Sequence, residues 1–280
     1  MKKAIFITSL IFMLFGCVNV FKLSDLTPPN HHSNSASKLK AKELLQEMAL
    51  AHKVTLWDSI GNYTVELQDD FYGFVGKQSS PFKEASATVK LDYISNEFSG
   101  QLEILTGKEK GNKWGFYQNQ TFEIIDDKVN LKHNEDIQFW IPTYQYFLEF
   151  PSRILEADQA DFVGTRDIDG VNAQCVLVSW VTLSAQKAID QYLILLHPTT
   201  KRIIKIEFTI RDVNKFAKGG IYYNNYKEFY GIPIPTELPV ESNLVKDSYL
   251  HKMHIKSIKT TQGLEAILKK VVVKDQSDNT

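Results

Sequence analysis

Over most of this chain the apolar residues recur at every second position. Tyr63, Val65 and Leu67 alternate with Thr64, Glu66 and Gln68, and Val89, Leu91 and Tyr93 alternate with Lys90 and Asp92. Phe98, Gly100, Leu102 and Ile104 share a parity against Ser99, Gln101 and Glu103. A strand turns successive side chains to opposite faces, so these runs read as half-buried strands with one face packed and one face wet. Gly107 to Asn112 reads as a charged hairpin loop leading into Lys113–Tyr117. Asp169–Gly170 is a turn signal ahead of a strand from Val171 to Val181. Leu193–Leu196 and Ile203–Ile210 form a hairpin across His197–Lys201, and further strands run over 221–229, 232–238 and 250–258.

Two segments depart from this period. After Ser37, a candidate N-cap, Ala41, Leu44, Leu45, Met48 and His52 fall at helical spacing. Pro142 is expected to open a second helical segment carrying Tyr144, Phe147 and Leu148, with Pro151 kinking it or starting another turn at Ile154 and Leu155. Two short helices on one long antiparallel sheet, with no repeat and no internal linker, predict a single α+β domain.

The aromatic residues sharpen that expectation. Trp57, Tyr63, Tyr93, Phe98, Trp114, Phe116, Trp140 and Trp180 fall on or beside the strand positions. The 43% apolar content, with 17 Phe, 12 Tyr and 4 Trp, fills a substantial core. Two helices cannot easily cover so large an apolar face, so the sheet must curl around side chains or enclose a cavity. Sequence alone leaves hollow and filled interiors equally open.

The first residues are of another kind. Ala4 to Gly16 is an apolar run of 13 residues behind Lys2 and Lys3. As a helix it would reach ~20 Å, short of the ~30 Å hydrocarbon core of a bilayer. A basic start, a short apolar stretch and a small residue before a cut are the anatomy of a secretory signal peptide. Leu14-Phe15-Gly16-Cys17 resembles the lipobox of bacterial lipoproteins, although Phe15 is bulkier than that pattern usually carries. The resemblance implies cleavage before Cys17 and a diacylglyceryl group on its sulfur, with palmitate-class chains, and hence a lipid anchor in place of a spanning helix. The expected layout is a signal peptide over 1–16 and a lipidated, flexible, Asn-, Ser- and Pro-rich tether over 17–37. A single domain over 38–273 and a frayed tail over 274–280 follow.

Removing 1–16 leaves 30 basic against 33 acidic side chains, a net charge of −3 with no basic block, which gives no footprint for nucleic acid. With Cys17 acylated, Cys175 stands alone, and it reads as a buried, inert thiol. Motifs for chemistry are missing: no H-E-x-x-H, G-x-S-x-G, G-x-x-x-x-G-K or G-x-G-x-x-G occurs. Ser80–Lys83 fits S-x-x-K and 277–279 spells S-D-N, but no K-T-G accompanies them. His251 and His254 lie three apart in strand-like sequence, where they point to opposite faces and cannot share a metal. His31 and His32 sit in the tether, and Asp69-Asp70, Asp126-Asp127 and Glu135-Asp136 read as solvated turn acids. Asp167–Gly170 lacks the remaining ligands of a calcium loop. No catalytic residue, metal site or cofactor is therefore assigned.

The order of features in the second half is suggestive: Asp169-Gly170 before a strand, then Gln191–Ile203 with its His197-Pro198-Thr199-Thr200-Lys201 turn, then Tyr226–Pro235. This layout resembles the LolA/LolB-like outer-membrane lipoprotein-sorting superfamily, with His197 standing where an aspartate is common. The resemblance implies a curved, mostly antiparallel sheet, a half-open β-barrel, with a few helices plugging its concave face and an apolar ligand between them. It implies a monomeric protein of the cell envelope, held at the periplasmic side of the outer membrane through Cys17. Its partner would be a lipid, an acyl chain or a lipidated protein. The candidate ligand-binding face is Trp57, Tyr63, Val65, Leu67, Leu91, Tyr93, Phe98, Leu102, Trp114 and Phe116. A lipoprotein hydrolase with a dispersed site, and a structural envelope protein with a filled core, remain as alternatives.

Overall fold

In a computed structural model, Leu23 and residues 33–278 other than 212, 213, 246 and 247 are described. Cys17, the 1–16 leader and His31 and His32 lie outside the described residues. The strands are β1 (Asn62–Phe71), β2 (Ser86–Ile94), β3 (Gly100–Ile104), β4 (Lys113–Tyr117), β5 (Gln120–Ile125), β6 (Lys128–Asn130) and β7 (Gln159–Ile168). They continue with β8 (Val171–Ser179), β9 (Gln191–Leu196), β10 (Ile203–Ile210), β11 (Asn214–Tyr222), β12 (Asn224–Phe229), β13 (Ile232–Ser242) and β14 (His251–Thr261). The helices are α1 (Ser35–Ala51), α2 (Val54–Ser59), α3 (Gly73–Ser79), α4 (Glu135–Leu148), α5 (Phe150–Arg153) and α6 (Leu264–Asp278), with a 3-10 turn at Ile154–Glu156.

All the strands join one antiparallel sheet in the order β6-β5-β4-β3-β2-β1-β14-β13-β11-β10-β9-β8-β7, with β12 paired to β13. It consists of two meanders back to back. The first runs outward from β1 to β6, the second runs inward from β7 to β14, and they meet where β1 pairs with β14. The connection from β6 to β7 must therefore pass from one edge of the sheet to the other. That connection carries α4 and α5. This crossover, with its helices on the concave face, is the covalent link between the two edges.

The period-two pattern does what it predicts. β1 alternates half-buried and buried residues along its whole length, with Tyr63, Val65, Leu67 and Phe71 turned inward. Tyr63 pairs with Tyr93, Val65 with Leu91 and Leu67 with Val89, while Leu91 pairs with Leu102 and Leu102 with Trp114. Cross-strand pairs of this kind are the unit of sheet stabilisation. Gly100, opposite Tyr93, could not carry a Cβ without meeting the Tyr93 ring and the Asp92 carbonyl. Gly115 is likewise covered by the Phe122 ring.

Both faces of the sheet are covered. The concave side holds the main apolar cluster, with Leu44 and Met48 of α1 and Ile137, Ile141 and Tyr144 of α4 packed over the strands. On the convex side Leu264 and Leu268 of α6 pack with Tyr117 and Phe122. Leu23 packs there too, with Val163, Ala173, Cys175, Leu177, Leu193 and Leu195.

Several boundaries differ from expectation. Asn34 caps α1, accepting from the Ser37 N–H at 2.9 Å while Ser37 Oγ accepts from the Asn34 N–H at 3.0 Å. Ser37 is the third helical residue of a capping box, so the domain begins before residue 38. Helix α4 begins at Glu135 behind an Asn134 cap, which places Pro142 in mid-helix and Glu135-Asp136 in its acidic first turn. Asn134 could open the helix because its side chain meets the Asp136 and Ile137 N–H groups, a cap that the acidic pair obscured. The expected frayed tail continues α6 as far as Asp278. Within the expected tether Leu23 is fully buried. The 221–229 run breaks into β11 and β12.

Candidate functional site

The site is the seam between the concave face and the α4–α5 crossover. Polar pairs, most of them buried, fix the crossover to the strands beneath it. Glu149, at the α4–α5 junction, accepts from the Tyr63 hydroxyl at 2.6 Å, Gln145 Nε2 at 2.9 Å and the Asn96 N–H at 3.2 Å, and it pairs with Arg153 at 2.7 Å. The Tyr93 hydroxyl donates to the Ile141 carbonyl at 2.9 Å and the Tyr223 hydroxyl to the Phe147 carbonyl at 2.6 Å. The Tyr144 hydroxyl donates to Asp69 Oδ2 at 2.7 Å, and His251 Nδ1 lies 2.8 Å from Asp69 Oδ1.

Burial shifts the protonation of these groups. It pushes the Glu149 carboxyl above the usual carboxylate range, against the pull of Arg153 and its hydrogen-bond donors. Burial, and next the Glu149 charge, raises the Tyr63 hydroxyl well above its ordinary value. On α1, burial and then the Arg202 charge lower His52 to about 3, and its neutral Nε2 accepts the Ile203 N–H at 3.1 Å. The Cys175 thiol, on the convex side, is pushed up to about 11 by burial.

Two pockets open along the seam. The first is a cleft of about 320 Å³, open solvent included, with enclosed room for little more than one water molecule. It lies between Trp57, Leu148 and Pro151 on the helical side and Tyr223, Ile232 and Ile234 on the strand side. The second, of about 220 Å³ and no roomier inside, lies between Tyr144, Phe147 and Leu148 and the strand residues Leu67, Leu238, Met253 and Ile255. Leu148 lines both. The two spaces approach each other at this leucine, the first along β13 with His52, Glu149 and Ser152 also at its wall, the second over β1, β13 and β14.

Of the ten sequence-predicted face residues, Trp57 and Leu67 line these pockets. Tyr63, Val65, Leu91, Tyr93, Leu102, Trp114 and Phe116 are buried in the main cluster. Phe98 is not on that face: it sits in the turn before β3, 43% exposed, with the Arg153 guanidinium 3.9 Å from its ring centre. The strand parity fails there because pairing begins only at Gly100. Sequence reasoning missed Asp69 and Glu149. Asp69 was read as a turn acid, yet it is a fully buried strand residue, on the same parity as Leu67 and Phe71. That parity was the available signal.

Asp69 and His251 form a buried side-chain pair between β1 and β14. The ring stacks on Phe71 at 5.0 Å and meets Trp140 edge-on at 5.5 Å. Among the described residues the ring has no hydroxyl or thiol hydrogen-bonded to it, and no group of three or more His, Cys, Asp or Glu could hold a metal ion. His254 projects to the other face from the buried His251, as strand geometry requires. Among the described residues no helix is long and apolar enough to cross a membrane.

No protein-family profile and no curated protein sequence matches the chain. Solved structures do. A proposed outer-membrane lipoprotein-sorting protein domain from Vibrio parahaemolyticus is 12% identical, with 85% of this chain and 99% of that chain covered at a TM-score of 0.52. The likeness is one of fold. A DUF1329-family protein from Desulfovibrio piger is also 12% identical, covering 80% of this chain and 94% of that chain at 0.50. A LolA-superfamily protein from Nitrosomonas europaea is 13% identical over 81% of this chain and 96% of that chain, at 0.48. The large, open, antiparallel sheet with helices against it is thus a fold shared with the Vibrio lipoprotein-sorting domain.

Proposed function

We propose that this protein is a lipid-anchored component of the bacterial cell envelope that holds an apolar chain, free or attached to a protein, in the seam between the crossover helices and β13–β14. The observation that carries this reading is the pair of apolar pockets meeting at Leu148. The Vibrio structure's description as a lipoprotein-sorting domain points the same way. So does the resemblance of residues 14–17 to a lipobox, with Cys17 as the acylated residue at the periplasmic side of the outer membrane. The space present is too small for an acyl chain, so on this reading loading displaces the crossover. Trp57 lines the wider pocket with a buried Nε1–H that has no hydrogen-bond partner, and it would serve a ligand carbonyl or carboxylate. The protein acts as a monomeric binding module and leaves its ligand chemically unchanged.

A soluble form beginning at Val18 tests this. It keeps Leu23 in place and should carry extractable lipid after native purification, or take up a fluorescent fatty acid with energy transfer from tryptophan. Trp57→Phe should reduce that transfer more than Trp180→Phe. No lipid and no uptake, in this form or with Leu148 truncated, would leave the filled-core envelope protein as the reading, which the small free volume favours.

A further inference from the structure

On the convex face, β8 and β9 hold Leu23. Leu23 is fully buried there, on the face opposite α1, as strand parity shows: Ala173, Cys175, Leu177, Leu193 and Leu195 surround Leu23, while Val176, Val178, Ile194 and Leu196 join the concave cluster with α1. The Leu23 N–H donates to Gln191 Oε1 at 3.3 Å, and Gln191 Nε2 donates to the Leu183 carbonyl at 2.7 Å. Gln191 is itself fully buried, so undocking Leu23 would strand its acceptor. The chain therefore reaches the convex face at Leu23 and the concave cluster from Asn34 onward.

Chain length gives this contact a consequence. Leu23 lies six positions after Cys17, a reach of at most about 20 Å, whereas the seventeen steps from Cys17 to Asn34 would span about 60 Å. We propose that Leu23 docked on β8–β9 clamps the tether, so that the Leu183 end of these strands rests against the lipid surface while the first meander is held away from it. This rests on the reading of Cys17 as the acylated residue. The clamp converts a long, free leash into a short one and fixes which side of the domain meets the membrane. It leaves the β3–β4 hairpin, seven strands from β9 along the sheet, away from the bilayer.

The test uses the full-length protein, acylated in a bacterial host and reconstituted in phosphatidylethanolamine–phosphatidylglycerol vesicles bearing a headgroup-attached quencher. Environment-sensitive probes go on Ser184→Cys, next to Leu183, or Lys108→Cys, in the β3–β4 loop, each with Cys175→Ala. Both positions are exposed. The probe at 184 should lose most of its emission and the probe at 108 little, and Leu23→Asp should abolish the difference. Equal quenching at the two positions in protein shown by mass to be acylated overturns the clamp while leaving the anchor intact. Absence of acyl mass on Cys17 overturns the anchor, and with it the orientation.

The docking itself has an independent readout. Cys175 shares the Leu23 cluster, so in the otherwise wild-type soluble form Leu23→Asp should raise the rate of thiol labelling at Cys175 with tryptophan emission unchanged. An unchanged rate overturns the docking.

Discussion

Truncating Leu148 separates a loadable seam from an ordinary core. The side chain is nearly buried and lines both pockets, so Leu148→Ala should enlarge both and, on the proposed reading, join them under the crossover. Removing three carbon groups forfeits about 2.4 kcal/mol of transfer free energy at ~0.8 kcal/mol each. The unfilled volume adds to this at about 24 cal/mol per Å³, giving a total loss of about 3–4 kcal/mol. A domain with a stability of about 5–15 kcal/mol survives that loss and can be studied.

The assay is urea unfolding of the soluble form, with and without a long-chain fatty acid. A ligand at a hundred times its Kd adds about 2.7 kcal/mol to the stability of the state that binds it. In the variant the acyl chain also fills the space Leu148 left, so saturating ligand should restore the variant nearly to the stability of the unliganded wild type. The wild type should gain less at the same concentration. Octanoate, too short to cross both pockets, should restore less than palmitate. If the midpoint of Leu148→Ala falls equally with and without ligand, the space under the crossover admits no chain and the argument fails.

Other perturbations probe the parts that hold the seam. Acid should destabilise the fold through His52: its folded pKa of about 3 lies below the unfolded value, so the unfolded chain binds the extra proton. The contribution, at most about 5 kcal/mol, is complete above pH 6.5 and is lost as pH falls toward 3, and His52→Gln should flatten that part of the stability–pH curve in urea titrations. Leu102→Lys places a charge on a fully buried strand position of the main cluster, and it should cost several kcal/mol and leave the domain largely unfolded by circular dichroism. A folded Leu102→Lys protein with weakened ligand uptake would instead return the cavity to the β1–β4 face.

How much of this was legible in the sequence follows from the range of each interaction. Strand existence depends on local alternation, and β1, β2 and the hairpin at His197–Lys201 were readable residue by residue. The curved sheet also followed, because the aromatic and aliphatic parity demanded more cover than the visible helices could supply. The parity of β1 marked Asp69 as inward-facing, but the partners that make a buried carboxylate tolerable, His251, 182 positions away, and Tyr144, could not be read locally. Leu23 was hidden for a like reason: its partner, Gln191, lies 168 positions on. The site shifted from β1–β4 toward β13–β14 because α4 packs its apolar face over β3, β4 and β5, filling the region whose pattern looked most exposed. Binary patterning identifies an apolar face but not which neighbour closes it.

The topology gives a physical reason for the seam to lie where it does. An open sheet has two edges, and unpaired edge strands invite association. Here one edge, β6, is only three residues long, and α1 packs against the other, β7. The edges are protected without closing the barrel, so the concave face needs a separate cover. That cover is the β6-to-β7 crossover, which is tied to the sheet's edge strands at its two ends and held between them by Glu149 with Tyr63, Asp69 with Tyr144, and Tyr223 with the Phe147 carbonyl. Polar contacts of this kind are directional, and buried hydrogen bonds to charged groups contribute about 1.5–3 kcal/mol each. They specify one seated position and set a cost for leaving it that the ligand's contacts must offset. Apolar contacts against Leu67, Leu238 and Met253 can be exchanged for contacts with an acyl chain at nearly equal free energy, since both are hydrocarbon. Under the proposed function, a crossover positioned by polar pins and sealed by exchangeable apolar contacts would rise to admit a chain and return to the same register.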